Sequence, residues 1–163
     1  MTLLRAIERT FCRLQQPTHE QMKSALLSLG ELLQTVPEYK TEPEQLPYGR
    51  NAVFSNKELE VIIIHIPANQ STAIHNHGSS IGTAYLVEGQ LVNTMFTLDS
   101  YGYPVPEHDD FIQAGQCFDA PADQIHQLSN PFHERAISLH VYTPPLREVN
   151  RYLPYTDILD YVI

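Results

Sequence analysis

The spacing of the hydrophobic residues changes near residue 50. Up to about residue 36, apolar side chains recur every three or four positions, which is the period of an amphipathic α-helix. They are Leu3, Leu4, Ile7, Phe11, Leu14, Met22, Ala25, Leu26, Leu29 and Leu33. Because Pro17 interrupts the series, the pattern predicts two helices rather than one.

Polar and proline residues mark the ends of the second predicted helix. Thr18 followed by Gln21 fits a capping box, in which each side chain satisfies a backbone amide at the helix N-terminus. Pro37, Pro43 and Pro47 are predicted to end the helical region and to form a linker, because proline has no backbone N–H to donate.

Beyond Arg50 the chain consists of short runs rich in Val, Ile, Tyr and Thr, separated by Gly, Pro, Asn and Asp. The clearest runs are residues 59–66, 83–87, 91–98 and 136–142. Two helices followed by about ten short strands predict an all-β sandwich or barrel with N-terminal helices.

Length and charge limit the organisation and the partners. A chain of 163 residues can bury one core but is short for two, so we expect a single domain over residues 1–163. Residues 1–47 would form a helical cap and linker, and residues 48–163 a β-barrel. The formal charge of −9 repels phosphate backbones and anionic lipid, so neither nucleic acid nor a membrane is an expected partner.

The N-terminal segment and the cysteines indicate the compartment. Arg5, Glu8 and Arg9 interrupt the first apolar residues, so neither a signal peptide nor a membrane span is expected. Cys12 and Cys117 cannot build a disulfide framework, which agrees with a reducing environment. We therefore expect a cytoplasmic protein, and a monomer.

Candidate chemistry begins with His75 and His77. On a strand their alternate spacing sends both imidazoles to one face, where two nitrogens can converge on a metal ion. The pair alone is equally compatible with structural histidines, because a chain with eight histidines often contains such a spacing by chance. A second block supports the metal interpretation: Gly115, Pro121, His126 and Asn130 fall at the spacing of the second cupin motif.

The two blocks together resemble the cupin superfamily, with three departures. Asn69 and Asp123 stand where cupins usually carry glycine, and Gly82 stands where they usually carry an acidic metal ligand. The resemblance implies a cupin barrel, which is a double-stranded β-helix or jelly roll, and a metal site of three neutral histidines. The ligands would be His75, His77 and His126.

Two further segments resemble the cysteine dioxygenase family, whose members are cupins with three metal histidines. The segment Tyr48-Gly49-Arg50-Asn51 is similar to the family's Y-x-R-N, and residues 138–145 are similar to its S-x-H-x-Y-[ST]-P-P. The resemblance implies an enzyme that uses Fe(II) and O2 to convert the small thiol L-cysteine to cysteine sulfinic acid. Three histidines leave about three positions of an octahedral ion open, enough for bidentate cysteine and dioxygen.

The same resemblance implies roles for five more residues. Arg50 would bind the substrate carboxylate with help from Tyr48, and Tyr142 would donate a hydrogen bond beside the metal. His140 would orient the Tyr142 hydroxyl, and Ser138 would support His140. From the residues alone, Arg50 could instead form a surface ion pair, Tyr48 could be packing, and Ser138 and His140 could be a polar pair in the core.

Two other functions stay open at this level. The 3-mercaptopropionate dioxygenases share the fold and the three histidines but lack the arginine, so Arg50 favours cysteine. A non-catalytic metal-binding cupin is also compatible, because a fold does not determine an activity.

Mammalian members of the family carry a cysteine five residues after the second metal histidine, joined covalently to the tyrosine that corresponds to Tyr142. This chain has Gly82 there, like a bacterial-type member, and Tyr142 is expected to stay a free phenol.

Overall fold

The computed structural model describes residues 1–157. In these residues two α-helices and a 3-10 helix precede eleven strands. The two α-helices and the series of short strands are predicted by the sequence pattern, whereas the 3-10 helix is not. The helices are α1 (Leu3–Phe11), α2 (His19–Ser28) and the 3-10 helix (Gly30–Tyr39). The strands are β1 (Gly49–Ser55), β2 (Glu60–Ile66), β3 (Gln70–Ser71), β4 (Ile74–His75), β5 (Ile81–Glu88), β6 (Gln90–Leu98), β7 (Pro104–Gln113), β8 (Cys117–Ala120), β9 (Ile125–Asn130), β10 (Ala136–Thr143) and β11 (Arg151–Tyr152).

The strands form two antiparallel sheets. The first, called here sheet A, has the order β1-β2-β10-β5-β8. The second, sheet B, has the order β11-β4-β9-β6-β7, with β3 paired beside β9. Some neighbours, such as β1 and β2, are consecutive in sequence, whereas others, such as β2 and β10, are distant, which is the connectivity of a jelly roll. The all-β fold with N-terminal helices is therefore the fold that the sequence predicts.

Sheet A is covered on both faces, which explains its apolar strands. Ile62, Ile64 and Ile66 of β2 pack toward sheet B, against Leu91 and Leu128. The alternate residues of β2 and β10 pack against the helices, in a cluster that includes Phe11, Met22, Leu26, Val61, Ile63 and Leu139. Because side chains alternate along a strand, a strand buried on both faces is apolar throughout rather than at every second position.

The helix termini agree with the sequence in part. Thr18 and Gln21 form the predicted capping box, with the Gln21 amide donating to Thr18 Oγ1 over 3.2 Å and the Thr18 amide to Gln21 Oε1 over 2.9 Å. Pro37, however, does not end the helical region, because the 3-10 helix continues to Tyr39. The α-helix ends earlier, at Ser28, and Gly30 two residues later has φ of +55°, a left-handed conformation that stops an α-helix.

Two departures from the cupin motifs lie at positive φ. Asn69 has φ of +61° and Asp123 has φ of +62°, the left-handed region that glycine adopts most easily. Asn and Asp tolerate that region better than other residues, so both replacements keep the turns that the motif glycines usually form. In residues 1–157 no helix has the length and apolar character needed to cross a membrane.

Candidate metal centre

The three histidines converge because β4 and β9 pair at that point. His75 lies directly opposite His126 in the ladder, and His77 follows two residues after His75. Their ring centroids are 4.7 to 5.0 Å apart, and their nearest ligating nitrogens all lie within 4.8 Å of one another. The Nε2 atoms of His75 and His77 are 3.1 Å apart. The structure thus brings the three predicted ligands together.

Hydrogen bonds orient two of the imidazoles. His75 Nδ1 lies 2.7 Å from the carbonyl oxygen of Ala73, and His126 Nδ1 lies 2.8 Å from Oδ1 of Asn93. Both oxygens only accept, so each Nδ1 must carry the proton and each Nε2 keeps its lone pair. The lone pairs of His75 and His126 therefore lie on the nitrogens that face the cluster, as in protein metal sites.

Burial keeps the cluster neutral and leaves nitrogens without partners. Burial lowers the pKa of His77 to about 3, with a smaller contribution from His75, and is also the main cause of the lowered pKa values of His75 and His126. Among residues 1–157, the buried His126 Nε2 and His77 Nδ1 have no hydrogen-bond partner. A buried unpaired nitrogen is costly, and coordination of an ion removes that cost for His126 Nε2. Three neutral imidazoles suit a divalent first-row metal, so the donor set of this cluster fits a metal cofactor.

Gly82 leaves the cluster without an acidic ligand. It lies on β5 opposite Tyr142 of β10, and a Cβ atom added there would be only 2.6 Å from Cε1 of the Tyr142 ring. No carboxylate or thiol joins the three-histidine group within the described part of the chain. Glycine therefore allows the tyrosine ring to occupy the place that a larger side chain would take.

Gly82→Ala is expected to displace the Tyr142 ring. The overlap should lower the free energy of unfolding by about 1–3 kcal/mol, the usual cost of overpacking, as measured by urea denaturation. In a Tyr142→Ala background the same substitution should cost much less, because the ring that it contacts is gone. Equal costs in the two backgrounds would contradict this explanation.

Three polar side chains form a row along β10. Ser138 Oγ lies 2.6 Å from Nε2 of His140, and Nδ1 of His140 lies 3.1 Å from the Tyr142 hydroxyl. Burial lowers the pKa of His140 to about 3 and raises that of Tyr142. A neutral imidazole has one donor and one acceptor, so when Ser138 donates to His140, His140 donates to Tyr142. The Tyr142 proton is then directed away from His140.

One cavity collects most of the predicted site residues. Its volume is about 370 Å³, and it is lined by Tyr48, Arg50, the three histidines, His140 and Tyr142. Ser138 is buried behind His140 and does not line it. Arg50 is exposed and forms no ion pair with a carboxylate of residues 1–157, so the alternative of a surface ion pair is wrong for this conformation.

Several other lining residues could not be recognised from the sequence. Leu146, Arg147, Val149 and Arg151 come from the segment after β10, which joins sheet B through the two-residue strand β11. A strand of that length carries no periodic pattern. Asn93, the partner of His126, was also missed. Its one signal is that Asn93 is a polar residue among the apolar residues at the start of β6, where it is buried.

Solved structures with low sequence identity share the fold. The TT1209 protein of Thermus thermophilus superposes with a TM-score of 0.57 at 19% identity, over 68% of this chain and 94% of that one. A conserved protein with a double-stranded β-helix domain from Klebsiella pneumoniae has a TM-score of 0.59 at 20% identity, over 72% of this chain and 88% of its own. These similarities confirm the cupin fold.

Sequence comparison identifies the family. Cysteine dioxygenase type 1 of Danio rerio is 26% identical over 144 residues, which cover 79% of this chain and 72% of that protein. A family model described as cysteine dioxygenase type I matches residues 4–154, which include the three histidines, Arg50 and Tyr142. The chain, a cupin with a three-histidine cluster, therefore belongs to the cysteine dioxygenase type I family.

Proposed function

We propose that this protein is a non-haem Fe(II) thiol dioxygenase that oxidises L-cysteine to cysteine sulfinic acid. Both atoms of O2 are added to sulfur, so R–SH and O2 give R–SO2H and no other reductant is needed. The observation that carries the proposal is the cavity itself, in which three neutral histidines lie together with the unpaired guanidinium of Arg50. Membership of the family supports a thiol dioxygenase.

His75, His77 and His126 would hold the iron. When bound, Fe(II) supplies open positions for sulfur, amine and dioxygen and the redox capacity of the reaction. The protein's part is to keep the three imidazoles neutral and oriented, through burial and through the hydrogen bonds to Ala73 and Asn93. Because no carboxylate of residues 1–157 joins the three histidines, the ligands would not offset the charge of a bound ion, and that charge would favour a thiolate.

Arg50 and Tyr48 would fix the substrate carboxylate. A guanidinium offers two parallel N–H donors to a carboxylate, which sets the orientation of the amino acid as well as its position. Tyr48 lies two residues before Arg50 and lines the same cavity, where its hydroxyl is a further donor. Together they would hold cysteine with its sulfur directed at the histidine cluster.

Tyr142 would donate a hydrogen bond to the reacting atoms. The centroid of its ring lies 4.8 Å from that of His77, so the ring is beside the cluster, and Tyr142 lines the same cavity as the three histidines. His140 and Ser138 would fix the direction of that proton through the row along β10. Because burial raises the pKa of Tyr142, the phenol keeps its proton at neutral pH and remains a donor.

One observation favours a second substrate, 3-mercaptopropionate. Three arginines line the cavity, namely Arg50, Arg147 and Arg151, and no aspartate or glutamate of residues 1–157 does. Such a lining suits an anionic thiol, and it offers no partner for an ammonium group. We propose cysteine as the main substrate because its amine can bind a metal as a neutral ligand.

We further propose a cytoplasmic monomer whose residues 1–163 form one domain.

The decisive experiment compares thiols as substrates. Metal-free protein is loaded with Fe(II) without oxygen, and oxygen consumption is then measured with cysteine, 3-mercaptopropionate and cysteamine in parallel. Cysteine should give the highest kcat/KM and one sulfinate per O2 consumed, and zinc-loaded protein serves as the control. If no thiol increases oxygen consumption above that of the zinc form, the protein is a binding cupin rather than a dioxygenase.

Tyr142 is expected to remain free of any covalent bond. Gly82 offers no sulfur beside the ring, and Cys12 and Cys117 lie elsewhere, at the end of α1 and on β8. Intact mass of the active enzyme should equal the mass calculated from the sequence, and a denaturing gel should give one band. A mass lower by two hydrogens, with a crosslinked peptide containing Tyr142, would contradict this expectation.

A further inference from the structure

A short segment crosses the cavity after the last long strand. Residues 146–152, here called the strap, begin beside sheet A, where the Leu146 amide donates to Oε1 of the buried Glu60 over 2.7 Å. They end in β11, which pairs with β4 of sheet B. The strap therefore runs from one sheet to the other, and Leu146, Arg147, Val149 and Arg151 from it line the cavity.

Asn76, the residue between two of the cluster histidines, docks the strap. Its amide donates to the carbonyl oxygen of Asn150 over 3.0 Å, and its Oδ1 accepts from the Asn150 side chain over 3.2 Å. Its Nδ2 donates to the Tyr152 hydroxyl over 3.1 Å. Asn76 is buried, with 7% of its surface exposed, and most of its hydrogen bonds go to the strap. Losing them would leave buried polar groups unpaired.

The strap supplies two of the three arginines that line the cavity. The chain carries a net charge of −9, yet the described residues that line the cavity include three arginines and no carboxylate. Arg50 comes from β1 of sheet A, whereas Arg151 comes from β11 of sheet B, opposite His75. Glu148 of the strap is not among the lining residues. A cleft lined by one sign of charge concentrates ligands of the opposite sign.

We propose that Asn76 is a positioning residue that docks the strap, and that Arg147 and Arg151 on the strap form a cationic entrance that selects thiols by charge. The entrance favours anionic thiols and disfavours cationic ones. This inference rests on the proposed function, since it assumes that the cavity takes a thiol. The strap arginines would thus determine substrate specificity together with Arg50, from a segment that joins the other sheet.

Binding without oxygen tests the entrance. Fe(II)-loaded protein is titrated by calorimetry with 3-mercaptopropionate, an anion at neutral pH, and with cysteamine, a cation. Arg151→Gln should lower the ratio of the two association constants by about tenfold at low salt, because it weakens anion binding and relieves cation repulsion. The difference should shrink at high salt. Arg13→Gln removes the same charge from the helical region, away from the cavity, and should leave the ratio unchanged.

Hydrogen exchange tests the positioning role in metal-free protein. Asn76→Ala should increase amide exchange across residues 146–152 and should lower the binding ratio as Arg151→Gln does, whereas Arg151→Gln should leave the exchange unchanged. In the Asn76→Ala background, Arg151→Gln should have little further effect on the ratio, because the strap is already released. If Asn76→Ala lowers iron content but leaves strap exchange as it was, Asn76 only supports the histidines and the positioning role is overturned.

The two hypotheses fail in different ways. The dioxygenase function is judged by oxygen consumption of the unmodified protein, whereas the entrance is judged by binding, which needs no turnover. Charge-selective binding that depends on Arg151 but is not accompanied by oxygen consumption supports the cationic entrance and contradicts the dioxygenase function. If the unmodified protein oxidises thiols but the binding ratio is unchanged in both Arg151→Gln and Asn76→Ala, the cationic entrance is overturned and the dioxygenase function is supported.

Discussion

His126→Ala is expected to remove nearly all bound iron and nearly all activity. Its Nε2 is a buried nitrogen without a hydrogen-bond partner in residues 1–157, and its loss leaves two imidazoles that no longer enclose an ion. Replacing a hydrogen-bond partner of a metal ligand typically weakens metal affinity about 10- to 100-fold, and removing a ligand should cost more. Iron per protein after loading and desalting, by atomic absorption, measures the effect, and His75→Ala and His77→Ala should behave alike.

Two controls separate metal loss from misfolding. His126 donates to Asn93, so His126→Ala also leaves a buried amide oxygen unpaired and should lower the melting temperature of metal-free protein. Asn93→Ala removes the same hydrogen bond but keeps the imidazole, and should retain measurable, weaker iron binding. His108→Ala, on the exposed face of β7, should bind iron normally. If His126→Ala retained full iron occupancy, the three-histidine site would be wrong.

The metal ligands could be predicted because each of the two sequence blocks that contain them has a recognisable spacing of its own. His75 and His77 alternate on one strand face, and the block around His126 has its own spacing. Their meeting depends on the pairing of β4 with β9, which spacing alone does not contain. The resemblance to known motifs provided that long-range step, as it did for Arg50 and for the row along β10.

The parts that sequence did not predict depend on single long-range contacts. The strap has no apolar period, and it is held by hydrogen bonds to Asn76 and Glu60, in which the paired residues are 74 and 86 positions apart in sequence. The 3-10 helix past Pro37 is a similar case. Leu33 and Val36 are buried against the barrel, so packing there outweighs the local signal of a proline.

Arg50→Ala is expected to lower kcat/KM for cysteine by roughly 30-fold or more. Truncating one partner of a hydrogen-bonded charge pair costs about 2–5 kcal/mol when the pair is buried, which is about 30- to several thousand-fold. Arg50 is exposed before substrate binds, so the lower end applies. Steady-state oxygen consumption measures the change, and most of it should appear in KM, because the carboxylate lies away from the reacting sulfur.

Matched variants and substrates show whether the lost interaction is a carboxylate clamp. Arg50→Lys keeps the charge but loses the two parallel donors, so it should recover only part of the activity. Cysteamine has no carboxylate, so its kcat/KM should not fall in Arg50→Ala, where the loss of a positive charge relieves repulsion of the cationic thiol, whereas 3-mercaptopropionate should lose activity as cysteine does. An Arg50→Ala enzyme with unchanged kcat/KM for cysteine would exclude the clamp. The arginines of the strap would then be the remaining carboxylate partners among the described residues that line the cavity, since they supply its other guanidinium groups.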